Sequence, residues 1–116
     1  MAPDPMAARL ATLRRVGGDR LIRDLIDLLF QSAPRKLEAA RAALAGGDAA
    51  GVGREAHALT SSAGNLGAAE MQEVALALER CAGGGPGDLA DLLTRLEASW
   101  ELARARLADI QRGLNG

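Results

Sequence analysis

Residues 48–67 read DAAGVGREAHALTSSAGNLG, and this stretch decides the fold class. Asp48 is a natural helix N-cap, because its short carboxylate can accept from the unpaired N–H groups of a first turn. Behind it Val52, Ala56, Leu59 and Ala63 recur at helical spacing. At about 100° per residue these four fall within about 40° of one direction, which makes them the buried stripe of an amphipathic helix. Gly64-Asn65-Leu66-Gly67 then offers a turn, since glycine and asparagine tolerate left-handed backbone. The expected helix runs from about Ala49 to Gly64.

The same period extends in both directions, and strand alternation is almost absent. Upstream, Gly46-Gly47 closes a long helix that carries Leu21, Leu25, Leu28, Leu29, Ala33, Leu37, Ala40 and Leu44. Asp19 is its expected cap, and Pro34 inside the pattern predicts a kink or a break. A short helix with Met6, Leu10 and Leu13 precedes it, from about Pro5 to Val16, stopped by Gly17-Gly18. Downstream, Met71, Val74, Ala75 and Leu78 mark a fourth helix that ends at Gly83-Gly84-Gly85-Pro86-Gly87. Asp88 caps the last, whose stripe is Leu89, Leu92, Leu93, Leu96, Trp100, Ala103, Leu107 and Ile110. Short connections between amphipathic helices predict an all-α fold, an antiparallel up-down four-helix bundle with a short extra N-terminal helix. One domain is expected over 1–116, its core spanning about 6–112.

Composition narrows the function. The chain has 116 residues, 48% of them hydrophobic and 25% charged, enough for a packed core. Fourteen Lys and Arg against fifteen Asp and Glu leave a net charge of −1, with no basic excess to neutralise phosphates. Aromatics are 2%, too few to build a base-stacking platform, so nucleic acid is not an expected partner. One cysteine and one histidine exclude an internal disulfide and a His/Cys metal cluster. No apolar run reaches the roughly 18–20 residues of a membrane span. The start, Met1 to Pro5, lacks the basic and apolar regions of a secretory signal. A cytoplasmic protein that binds no membrane and no cofactor is the expectation.

His57 is the side chain that stands out. It points about 130° away from the buried stripe of its helix. Its helical neighbours are Gly53, Arg54, Thr60, Ser61 and Gly64, mostly small, which leaves an open approach to the ring. An imidazole is the side chain whose ordinary titration lies nearest neutrality, so a nucleophilic neutral form is available to it. Inert surface histidines share this geometry, and only the local string separates the two readings. Cys81 reads as an inert thiol and Trp100 as a core anchor. The Gly83–Gly87 run lacks the preceding strand and following Lys-Ser/Thr of a phosphate loop. Glu70 and Glu73 read as surface charge.

Residues 54–68, Arg54-Glu55-Ala56-His57-Ala58-Leu59-Thr60-Ser61-Ser62-Ala63-Gly64-Asn65-Leu66-Gly67-Ala68, resemble the signature of the histidine-containing phosphotransfer domain, A-H-x-L-K-G-S-[SA]-x-x-[LIV]-G-A. Leu28 to Pro34, Ala45 to Asp48 and Leu78-Glu79 are also similar to that family, so the resemblance covers about residues 6–110. It implies a phosphocarrier of a bacterial two-component phosphorelay rather than an enzyme. His57 would be the phosphoacceptor, and Glu79, at His+22, would hold the other ring nitrogen. On the residues alone Glu79 reads equally as a solvated carboxylate. Gly64 and Gly67 would shape the turn after the third helix.

The resemblance further implies a response-regulator receiver domain or a hybrid histidine kinase as partner. The receiver would bring the aspartate and the Mg²⁺. The docking face would join the His57 side of its helix to Leu29, Gln31 and Ser32. A monomer is expected, since the histidine must stay unobstructed. Two positions depart from the family pattern: Thr60 stands where lysine is usual and Ser61 where glycine is usual. Thr60 can donate a hydrogen bond but brings no charge, and Arg54 could supply the cation from the other side. These departures keep a second reading open, a module that binds receivers or kinases without carrying phosphate.

Overall fold

The computed structural model describes residues 3–114, so the first and last two residues of the expected domain 1–116 lie outside it. The described residues form four helices and no strand: α1, Pro5–Ala45; α2, Ala49–Asn65; α3, Ala69–Ala82; and α4, Leu89–Gly113. Two of the expected caps form: Asp48 accepts from Gly51 N at 2.9 Å and Asp88 from Asp91 N at 3.1 Å. α1 and α3 each pack against both α2 and α4, which leaves α2 and α4 on opposite sides of the bundle. No described helix is long and apolar enough to cross a membrane.

Two boundaries differ from the sequence reading. Gly17-Gly18 divides α1 into two helical segments by a kink rather than by a loop, with Gly18 alone outside helical dihedrals at φ 68°, ψ −168°. One residue outside helical dihedrals turns the chain without opening a loop, and glycine is the residue that can sit there without strain. Asp19 consequently caps nothing. Its carboxylate accepts from Arg14 Nε at 2.8 Å across the kink. Pro34 neither breaks the helix nor takes it out of helical dihedrals. It lies on the exposed face, where water can reach the carbonyl that its ring leaves unbonded. One residue on, Arg35 Nε donates to the Gln31 carbonyl at 3.2 Å.

The core register of α1 also differs. Ile22, Ile26, Leu29, Ala33, Leu37 and Ala40 are buried, while Leu28 is 60% exposed. The pairs Leu21-Ile22, Leu25-Ile26 and Leu28-Leu29 make two adjacent stripes equally apolar, and bending at Gly18 selects the second. From the rest of the chain come Val52, Leu59, Leu66, Met71, Leu78, Leu93, Leu96 and Leu107, all fully buried. Trp100 anchors the α1–α4 side, its ring 6.0 Å from that of Phe30 at 80°, the edge-to-face geometry aromatic pairs favour.

The segment of α1 before Gly18 covers the end of the bundle at the α2–α3 turn. Met6, Leu10 and Leu13 are buried there, and Arg9 Nε donates to the Asn65 carbonyl at 2.9 Å. Asp4 pairs with Arg106 of α4. The hydrogen bond from that guanidinium holds the Asp4 carboxyl below the usual aspartate range, against the opposing effect of desolvation. A carboxyl lowered in the folded state stabilises it above the ordinary aspartate pKa, and the contribution disappears as pH falls through the lowered value. Acidification is therefore expected to loosen residues 5–17 before the rest of the bundle. Amide exchange at Met6 and Leu10 should accelerate on that acid limb, and Asp4→Asn should remove the pH dependence.

Candidate functional site

His57 sits midway along α2, its side chain 70% exposed, as the helical wheel predicts. Nδ1 lies 2.9 Å from Oε2 of Glu79, which is 31% exposed on α3. An ionised carboxylate only accepts, so in the neutral ring this contact selects the tautomer with the proton on Nδ1 and the lone pair on Nε2. Glu79 thus reaches the ring across the α2–α3 seam.

Small residues bring α3 close enough for this. A Cβ on Gly53 would lie 3.2 Å from that of Ala82, and Ala56 and Ala75 are fully buried in the same bundle. Gly53→Leu is expected to wedge α3 away and break the His57–Glu79 contact. Overpacking of this kind costs about 1–3 kcal/mol, and nitrogen NMR of the ring should show the Nδ1-protonated tautomer losing its dominance.

Gly64 plays a different part from the one its sequence suggests. It lies inside α2 and the left-handed residue of the turn is Gly67, at φ 71°. Lacking a side chain, Gly64 admits the amide of Gln72: a Cβ there would lie 2.5 Å from Nε2. Its carbonyl also accepts from Gly67 N at 3.1 Å. Gln72 is a contact that sequence reasoning missed. Its only signal is that Gly64 to Gln72 and His57 to Glu79 straddle the same point of the α2–α3 connection.

The remaining candidates surround the ring unevenly. Arg54, one turn before His57, is exposed and loosely paired, its Nη2 3.8 Å from Oδ2 of Asp48. Thr60 turns its hydroxyl back to the Ala56 carbonyl at 2.8 Å, and Ser62 does the same to Ala58 at 3.0 Å. Ser61 is exposed. His57, Arg54 and Glu79 line one open recess of about 470 Å³ with Ala49, Ala50, Gly53, Ala82 and Gly83. Among the expected docking residues Leu29 is buried, only 3% exposed. Leu28 takes its place on the surface, beside a small cleft that Leu25, Ser32, Ser62 and Asn65 also line. Among the described residues no three His, Cys, Asp or Glu side chains are grouped to hold a metal.

The family model described as Hpt domain matches residues 24–114. The chain belongs to the Hpt domain family. Hpt domains are phosphocarriers rather than enzymes, they act in histidine phosphotransfer of two-component signalling, and they interact with receiver domains and kinases. The match begins after Gly18, so the segment that covers the bundle end lies outside it. Neither a curated protein nor a solved structure matches the chain.

Proposed function

We propose that this chain relays a phosphoryl group between receiver-domain aspartates through His57, in the cytoplasm, as one antiparallel up-down bundle with a short N-terminal helix. The observation that carries the reading is the 2.9 Å contact of His57 Nδ1 with Glu79, which leaves Nε2 free on an exposed helix face. In the transfer the Nε2 lone pair attacks phosphorus of the receiver's aspartyl phosphate. The N–P bond forms as the P–O bond to the aspartate breaks, and the carboxylate leaves with that electron pair. The ring keeps its Nδ1 proton and so gains a positive charge, which the Glu79 carboxylate offsets. Transfer onward reverses the same exchange.

Other residues support these steps. Arg54 swings from Asp48 to the phosphoryl oxygens and supplies the cation that Thr60 lacks. The Ser61 hydroxyl donates to a phosphoryl oxygen, and Gly64 keeps the lower α2–α3 seam flat by seating Gln72. The receiver brings the aspartate and the Mg²⁺, and docks across His57 and the Leu28 side of α1. The commitment of the Thr60 hydroxyl to Ala56 favours a second reading, a receiver-binding module without transfer.

Incubation with phosphoramidate, or with a phosphorylated receiver, separates the two. Relay requires the mass gain of one phosphoryl group, labile to acid and stable to alkali as an N–P bond is. A charged receiver that binds but leaves the mass unchanged establishes the module instead.

A further inference from the structure

α4 buries Leu93, Leu96, Trp100 and Leu107, and its opposite face is exposed. At alternating spacings of four and three that face presents Asp91 and Arg95, then Ala98, Leu102 and Ala105, then Asp109 and Arg112. All seven are exposed, and Leu102, in the middle, is 67% exposed, one of the few large apolar side chains left in water. The charges at each end pair within the helix: Arg95 with Asp91 at 3.0 Å, and Arg112 with Asp109.

The order of charges along this face is its own complement when reversed. We propose that α4 is a self-association surface, on which a second copy of this chain lays its α4 antiparallel about a twofold axis at Leu102. Leucine then meets leucine, and Ala98 meets Ala105 of the partner subunit. Asp91 faces Arg112 of the partner subunit, and Arg95 faces Asp109 of the partner subunit. A parallel pair would set every one of these charges against its like, so the sequence selects one orientation. Each end becomes a network of four alternating charges, the arrangement in which exposed ion pairs contribute most. Glu101 approaches its own copy near the axis, but Arg104 holds it at 2.9 Å.

Beside the stripe, an open groove of about 910 Å³ runs between α1 and α4, with Leu37 and Trp100 at its floor and Ala42 and Ala98 on its rims. It lets the partner helix settle against more than the stripe alone. α4 lies across the bundle from α2, so both copies keep His57 open, and the expectation of a monomer yields without loss of access. One leucine with two alanines makes a small contact of the isologous kind, with a dissociation constant on the order of 100 µM.

Sedimentation equilibrium of the full chain across that concentration range tests the proposal. The apparent mass should climb from 12.0 kDa towards twice that value. Leu102→Glu, its helicity checked by circular dichroism, should weaken association at least tenfold, and Asp109→Arg should do the same. Adding Arg95→Glu to Asp109→Arg should restore association to within about threefold of the parent, because every pair that faces across the twofold axis is again of opposite sign. A mass that stays at 12.0 kDa throughout overturns the proposal. So does association that Leu102→Glu leaves intact, or a double variant no tighter than Asp109→Arg alone.

Discussion

His57→Gln is expected to abolish phosphoryl uptake entirely, to the background of a chain with no nucleophile, while the fold survives. Its side chain is 70% exposed in the middle of α2, so the exchange disturbs no core contact, and glutamine is the better helix former by a few tenths of a kcal/mol. Circular dichroism and the melting temperature should stay within error of the parent. Mass spectrometry after treatment with phosphoramidate should show no acid-labile adduct. An adduct that persists in His57→Gln would put the phosphoryl group on another residue and remove the basis of the relay.

Glu79 gives a graded result beside this absolute one. A hydrogen bond to a charged group contributes about 1.5–3 kcal/mol, so Glu79→Ala should slow uptake about tenfold or more. Glu79→Gln keeps an acceptor for the Nδ1 proton but loses the charge that offsets the phosphorylated ring, and should fall between, about threefold slower. Rescue by glutamine separates tautomer control from charge stabilisation. Equal losses in Gln and Ala would mean that the carboxylate acts through its charge alone.

The periodicity made the all-helical class and the faces of α2, α3 and α4 legible, because each has one unambiguous apolar stripe and a capping aspartate or glycine break at its ends. α1 was less legible for a physical reason. Its Leu-Ile and Leu-Leu doublets satisfy two registers, and the choice between them depends on the turn at Gly18, a backbone event that side-chain spacing does not encode. Exposure of His57 followed from the wheel. Its partner did not, because Glu79 lies twenty-two residues away, beyond any local rule, and only the resemblance singled it out. Gln72 escaped altogether, since a neutral amide resting on a glycine leaves no pattern in either helix.

Gly67→Val is expected to produce the largest loss of stability of any surface substitution in the chain, and to produce it in a particular place. Gly67 has φ 71°, where a side chain costs about 1–2 kcal/mol and a β-branched one more. A Cβ there would also lie 2.6 Å from the Pro5 carbonyl oxygen, 2.8 Å from Arg9 Cβ and 2.9 Å from Met6 Cα. Two of those three atoms are backbone, so the clash is relieved only by moving residues 5–9 as a body. Moving them uncovers Met6 and Leu10, each buried to within a few per cent and each contributing roughly 1.5–3 kcal/mol. The combined loss is at least about 4 kcal/mol, near the limit for single substitutions, and the damage should be uneven. Amide exchange should rise first and furthest over residues 5–17, with Gly18 as the hinge. The α2–α3 seam at His57 lies away from the covered end, so phosphoryl uptake at low temperature should persist in whatever fraction remains folded. Uniform loss of protection across α2, α3 and α4 would show instead that the N-terminal segment is an integral part of the bundle.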